Sequence, residues 1–541
     1  MAQMEDLILR IKDAGIRISL VGDQLKLDVA ENSDSEGILL EVKRNKPDLV
    51  SYIRQAYAMG DDLSGRPQPV EKKETYELCH QQKKEFIRFL ILGPHAFNLS
   101  FLLSFTNLDE SALELALSAL IARHESLRTS FIQKSGRLLQ RIHDSKRVRP
   151  HIRRIDLRNR ADKKQQGREL LNDARKRQFD FDQPLLPDLL LAHYSEEEHF
   201  LLLTIHHTVV DALSGEVLKK EIYSLYNSYI TGEPASLFPM PLQYRDYACW
   251  LNSYLAGPAS GAARAFYRRT IQESINLERH ANGLFQPVVC HPELPSYRKT
   301  LREELIRALG SGDEDKYPDA YGTITNLYPE AGGHYRTFLS GEIFGQIKNR
   351  SLGKNISLFN VFIAAFAILV GIERATRHVR LYVPFSTRVF EEFEPIVGWL
   401  TSEIIVCISF DPDQTVGEFL NSVNELVLEA SRHRWFPHEK ILADLDISLP
   451  VLTHALFNYI DESDTALEDF SSAHSSEGSG HFDLQCRITG HSDGVDIETD
   501  YIRRIYTPDR VEKMTGKFAA ILEYISASQE ETLSNILTCA W

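Results

Sequence analysis

The chain is poor in features that would make its class obvious. Its six cysteines, Cys79, Cys249, Cys290, Cys407, Cys486 and Cys539, are scattered through 541 residues, with no CxxC pair and no metal-ligand spacing. Neither a disulfide framework nor a zinc site is indicated, and this usage fits a reducing cytoplasm. Basic residues are outnumbered, 61 Lys and Arg against 76 Asp and Glu, for a net charge of −15. A general nucleic-acid binder needs a basic surface to displace counterions from phosphates, so that class is excluded and any basic patch must be local. No apolar run reaches membrane-spanning length, and MAQMEDLILRIKDAG lacks the basic, apolar, small-residue order of a signal peptide. No internal repeat is visible. These absences leave a cytoplasmic enzyme or binding protein.

What is present is a chain too long for one core, with 43% hydrophobic and 25% charged residues, the balance of a globular protein. The first segment, residues 1–58, reads as a small module. Leu7, Ile8 and Ile11 have helical spacing; Ile16, Ile18, Leu20 and then Leu25 and Leu27 alternate around Gly22-Asp23 as a β-hairpin; and helical patterning returns from Glu36, divided at Pro47. Residues 59–74, rich in Gly, Pro and charge, read as a linker. A body at 75–280 follows, with an amphipathic helix at Asp109–His124 capped by Asp109, a strand at Phe200–Ile205 and a helix at Asp211–Ile230. Residues 281–332 are irregular and read as an insertion or connection. A second α/β body occupies 333–541, with a helix at Leu358–Glu373, strands at Val379–Val383 and Glu403–Ser409, a helix at Val416–Arg432, a loop at 471–481 and a last helix at Asp509–Ala527.

The stretch LLLTIHHTVVDALS, residues 201–214, places two histidines where an apolar strand runs out into a loop. Neighbouring side chains on extended backbone face opposite ways, so one of His206 and His207 packs inward while the other can face a cavity. Three readings are open from this pattern alone. The pair is core packing, a metal site, or a base whose pKa near neutrality takes a proton from an amine or hydroxyl. There is no HExxH spacing and no ligand cluster in support of a metal.

IHHTVVDALS resembles the HHxxxDG signature of nonribosomal peptide synthetase condensation domains, in the chloramphenicol acetyltransferase-like superfamily. Seven further stretches are similar to that family's motifs in the same order: YELCHQQ (76–82), RHESLRTSF (123–131), YRDYACW (244–250), PFSTR (384–388), IVGWLTSEIIV (396–406), RHRWFPHEKIL (432–442) and LFNYID (456–461). The resemblance implies an α+β fold of the α/β-sandwich kind, with two acetyltransferase-like lobes meeting in a V around a tunnel. It implies that His207 is the catalytic residue, that His206 faces inward, that Asp211 is structural and pairs with Arg388 across the lobes, and that Asn458, Ala212 and Ser214 line the active site. No metal is implied. Two departures stand out. Ala212 replaces the last glycine of the signature, where a left-handed turn would cost an alanine about a kilocalorie per mole, and Lys83, Lys84 and Glu85 replace the RLW of the opening motif.

The first module resembles the β-hairpin docking domains, helix–hairpin–helices in order, that precede some condensation domains. Such modules capture the C-terminal tail of an upstream carrier protein by strand addition, and Arg17 and Lys26 are the residues that would contact it. The implied function is transfer of an acyl, peptidyl or polyketide chain from a carrier-borne phosphopantetheine thioester to an amine or hydroxyl, free or carrier-bound. The enzyme itself would bind no cofactor. Since no adenylating or carrier segment follows, a free-standing chain-transfer or chain-release step is expected. The alternatives are a coenzyme A-dependent HxxxD acyltransferase and a catalytically silent domain that recruits carriers.

Overall fold

The computed structural model describes residues 66–92, 97–281, 332–352, 357–437, 440, 455–461, 482–491, 494–503, 505–527 and 530–539, with the shorter pieces 11, 16–21, 24–29 and 36–46 ahead of them. The insertion at 282–331, the loop at 471–481, the division at Pro47 and most of the first helix lie outside the described residues. Within the first module, β1 (Ile16–Val21) pairs antiparallel with β2 (Gln24–Val29), with Val21 opposite Gln24. The predicted turn at Gly22-Asp23 lies outside the described residues. Arg17 lies opposite Asp28 and Lys26 opposite Ser19. The helix Glu36–Arg44 follows.

The next body is built on two sheets. β3 (Thr75–Glu77) pairs with β6 (Arg137–Ile142), which pairs with β5 (Thr129–Lys134). β4 (Asn98–Thr106), β9 (Glu198–His206), β8 (Asp188–His193) and β7 (Ile152–Asp156) form the larger sheet in that spatial order. The apolar run of β9 is continuous because both faces of the sheet are covered. Leu201, Leu203 and Ile205 pack under the helices Glu110–Arg123 and Ala212–Thr231, while Leu202 meets Leu171, Ala174 and Leu190 on the other side. Asp109 accepts the Ala112 amide at 2.9 Å and so starts the first of those helices.

The second body is a six-stranded mixed sheet in the order β10 (Gly332–Ser340), β15 (Gly494–Ile502), β14 (Leu484–Gly490), β13 (Ala455–Asp461), β11 (His378–Ser386), β12 (Thr401–Ser409). β13 runs parallel to β11 and β14. The helix Leu358–Arg374 is buried from Asn360 to Ile372 without a polar face, as befits a helix sandwiched within a core. The helix Gly261–Ala281, grouped with the first body by sequence, places Ala263, Tyr267, Ile271 and Ile275 in this second core. A final helix, Leu533–Cys539, follows Pro508–Ala527, where the apolar spacing was too short to register as an element.

Between β11 and β12 the chain leaves the second body. Residues 387–400 cross to the first, where Val397 enters its core and Phe393, Ile396, Trp399 and Leu400 pack with Leu242, Tyr244, Tyr247 and Leu251. Gly398 is required here by close approach, since a Cβ would lie 1.9 Å from the Tyr244 ring.

Candidate active site

β9 delivers the histidine pair to the end of the larger sheet of the first body, and the two rings part as the strand geometry predicts. His206 is fully buried. Its Nδ1 lies 2.9 Å from Thr208 Oγ1 and accepts the Thr208 amide at 3.3 Å, and its ring is edge-on to Phe181 at 4.8 Å between centroids. His207 is partly accessible. Its imidazole lies parallel to Phe97 at 4.7 Å and beside Trp399, also at 4.7 Å. One wall therefore comes from the segment before β4 and the other from the crossing segment 387–400.

The backbone around His207 is fixed. Its amide donates to Phe97 O at 2.7 Å, the Thr208 amide is taken by His206, and the Val210 amide donates to His207 O at 3.3 Å. These three amides are committed, so an oxyanion donor cannot come from them. Nδ1 of His207 is buried without a hydrogen-bond partner among the described residues. Burial pulls the imidazole pKa below 6.5, against its own backbone and the charges of Asp211, Glu85 and Glu403. The neutral form of the ring is thereby favoured.

Asp211 is the hub of the loop. Its carboxylate is 1% exposed and accepts from Arg388 Nη1 at 2.6 Å, Arg388 Nη2 at 2.9 Å, the Ser214 amide at 2.8 Å, the Leu400 amide at 2.9 Å and Thr401 Oγ1 at 3.2 Å. Burial alone would raise its pKa, but the Arg388 charge and these hydrogen bonds outweigh that and hold it below 3.8. No hydrogen bond joins it to His207 among the described residues. Its oxygens are spent on the N-terminus of the helix Ala212–Thr231 and on the other body.

Ser214 is buried as well. Its Oγ lies 2.7 Å from Asp211 Oδ1 and 2.9 Å from Gly398 O, so its one hydrogen is shared, while it accepts from Arg388 Nη2 at 2.8 Å and the Gly398 amide at 3.1 Å. The hydroxyl joins two bodies. Ala212 is exposed at the first position of its helix, and the non-glycine residues with positive φ among those described are Asn107, Ser135 and Ala375. Alanine therefore fits the signature's last position without strain. Asn458 sits partly exposed on β13, opposite Arg487, and no described hydrogen bond links it to the histidine loop.

Several participants lie outside the histidine signature itself. Phe97, outside every quoted stretch, and Trp399, within IVGWLTSEIIV, both lie beside His207. Tyr244, from YRDYACW, donates to Trp399 O at 3.0 Å and lies 3.1 Å from Cys79 Sγ; Tyr247 OH lies 3.0 Å from Thr387 Oγ1. The departure at Lys84-Glu85 is also local to the site, because Lys84 lies 3.6 Å from Glu403 and Glu85 is buried within electrostatic reach of His207. RHESLRTSF is structural: Arg123 and His124 both hold the buried Glu221, and Glu125 pairs with Arg245. Among the described residues no cluster of three or more His, Cys, Asp or Glu is arranged to hold a metal ion, and no helix is long and apolar enough to cross a membrane.

The chain is similar to known proteins along most of its length. Tyrocidine synthase 2 of Brevibacillus parabrevis is 24% identical over 491 residues, 87% of this chain and 12% of that one. Bacitracin synthase 3 of Bacillus licheniformis is 23% identical over 500 residues, 90% of this chain and 7% of that one. The chain thus spans a small fraction of the length of these relatives. Among solved structures, the X-domain from teicoplanin biosynthesis superposes with a TM-score of 0.65 at 21% identity, covering 87% of this chain and 99% of that one. The EpoB cyclization-docking bidomain from Sorangium cellulosum superposes with a TM-score of 0.64 at 19% identity, covering 98% and 99%. These likenesses show the two-lobed α+β fold. The profile of the condensation domain matches residues 72–282 and 334–540, and the chain belongs to the condensation-domain family.

Proposed function

We propose that this chain transfers an acyl, peptidyl or polyketide chain from a carrier-protein phosphopantetheine thioester to an amine or hydroxyl, as a chain-transfer or chain-release step of nonribosomal peptide or hybrid polyketide synthesis. The observation that carries the proposal is His207: a partly accessible imidazole clamped between Phe97 and Trp399 on a loop locked by Asp211 and Arg388, with burial favouring its neutral form. The nucleophile's lone pair attacks the thioester carbonyl as His207 accepts its proton. Collapse expels the carrier thiolate, which takes a proton, and an amide or ester is left. Asp211 and Ser214 act by holding the loop, and Asn458 and Ala212 belong to its surroundings. No enzyme-bound cofactor is invoked; phosphopantetheine arrives on the carrier.

The hairpin β1–β2, with Arg17 and Lys26, is assigned in this proposal to a docking module at 1–58 joined by a linker at 59–74 to lobes at 75–280 and 333–541. Its partner is the C-terminal tail of an upstream carrier, taken up by edge-strand addition. The whole operates in the cytoplasm.

Intact-mass analysis of a loaded carrier with candidate nucleophiles tests the reading. The His207→Ala variant is expected to lose about 10²- to 10⁴-fold in rate, and wild-type activity should fall on the acid side with a midpoint below 6.5, where the imidazole becomes protonated. Undiminished product from the variant sinks the catalytic assignment, and equal rates with acyl coenzyme A favour the coenzyme A-dependent alternative. A second reading is recruitment without transfer, since the teicoplanin X-domain, of the same fold, is described in a complex with OxyB. Carrier binding with no transfer across a broad nucleophile screen would establish it.

A further inference from the structure

Away from the histidine loop, a cavity of about 480 Å³ opens between the segment 66–74, the ends of β5 and β6 and the start of the helix Tyr244–Ala256. Its cations are Lys72, Lys73, Arg128, Arg141, Arg147 and Arg245, against the three carboxylates of Glu74, Glu125 and Asp144. In a chain of net charge −15, this is a concentrated excess of positive charge. The carboxylates are already engaged. Glu125 pairs with Arg245, Glu74 lies 3.1 Å from Arg141 Nε, and Asp144 accepts the Lys146 amide at 3.0 Å.

Of the cations, Lys73 pairs with Glu71 at 3.2 Å, and Arg128, Lys72 and Arg147 are less well matched. Arg128 donates to three carbonyl oxygens, Nε to Ile121 O at 3.2 Å, Nη1 to His143 O at 2.5 Å and Nη2 to Ala122 O at 3.3 Å, while the nearest oxygen of Glu125 is 3.9 Å away. Lys72 and Arg147 are exposed and have no ion-pair partner among the described residues. His143, in the same wall, lies 2.8 Å from Ser130 Oγ, and burial followed by the charge of Arg141 lowers its pKa. A cavity of this size that presents rigid guanidinium forks beside mobile ammonium groups suits a compact polyanion, because the forks match phosphate oxygens in pairs and partial enclosure limits screening.

We propose that this cavity is a binding site for a multiply charged phosphate, either free or as the diphosphate of a nucleotide. The site is separate from the proposed acyl-transfer centre, and its test does not depend on that activity. The probe is inorganic pyrophosphate titrated into the full chain by calorimetry, with inorganic phosphate and adenosine diphosphate as parallel arms. Saturable one-to-one binding is expected. It should weaken at least about tenfold in the Lys72→Glu/Arg147→Glu variant, in which each change reverses a charge. Both residues are on the surface, so that variant should unfold like the parent; Arg128→Gln provides a second, buried change expected to weaken binding in the same direction. The His143 imidazole resonances should report a raised pKa in the complex. Adenosine diphosphate binding no tighter than pyrophosphate names the inorganic anion, and tighter binding that the same variants lose names the nucleotide. Failure of pyrophosphate to saturate, or equal affinity in parent and double variant, overturns the proposal.

Discussion

Two aspartate–arginine pairs in this protein use the same chemistry to opposite effect. Asp156 and Arg158 are two residues apart, meet at 2.7 Å on the surface and share their arginine with Glu196. Asp211 and Arg388 are 177 residues apart, meet at 2.6 Å and are almost wholly buried. The short-range pair is formed by local chain geometry and bathed in water, where attraction is screened and its net worth is small. The long-range pair is stripped of water, so each charge depends on the other and on the hydrogen bonds that complete its shell. Holding the histidine loop against the second body calls for the second kind.

The largest break in this contrast should come from Asp211→Ala. It leaves Arg388 charged, buried and unpaired, and should cost about 3–5 kcal/mol in urea unfolding of the full chain, with the proposed acyl transfer lost alongside. Acid acts on the same pair. Because the folded-state pKa of Asp211 is held below 3.8, its contribution to stability is complete above that value and is lost only as pH falls through the lower folded value. Next in size is Gly398→Ala, which drives a methyl into the Tyr244 ring and should destabilise by about 1–3 kcal/mol; a chain that keeps its full stability would show that the crossing segment yields. Ala212→Gly restores the family's letter but should lower stability by at most about 1 kcal/mol and leave acyl transfer no faster, since no left-handed backbone is needed there. Smallest of all, Asp156→Ala should leave the unfolding midpoint where it is. A midpoint drop comparable with Asp211→Ala would erase the distinction between the two pairs.

The sequence made the histidine loop legible because its neighbours are close in the chain. Alternation on an extended strand said that only one of His206 and His207 faces a cavity, and helical spacing from Asp211 placed the pair just before a helix. Arg388 was reachable only through the family pattern, as nothing local ties it to Asp211. The Phe97 and Trp399 walls were not legible at all. They meet His207 through contacts across 110 and 192 residues of chain, and aromatic residues in apolar runs carry no periodic signature that distinguishes a wall from core. The helix Gly261–Ala281 shows a related limit, for amphipathic spacing says that a helix has a buried face without saying which sheet lies beneath it. Ser214 illustrates the same point at one atom, since only the folded partner segment decides whether a hydroxyl faces a cavity or a carbonyl.

The crossing of residues 387–400 also bears on how this protein can be recombined with its relatives. By sequence order the segment is part of the second half, yet its side chains complete the packing of the first. A hybrid spliced between the lobes would bring a foreign counterpart of Trp399, Gly398 and Arg388 against the native Tyr244, Ser214 and Asp211. Successful chimeras should therefore carry this stretch together with the first lobe, splicing within β11 and again within β12, so that a contiguous gene boundary is the wrong unit of exchange.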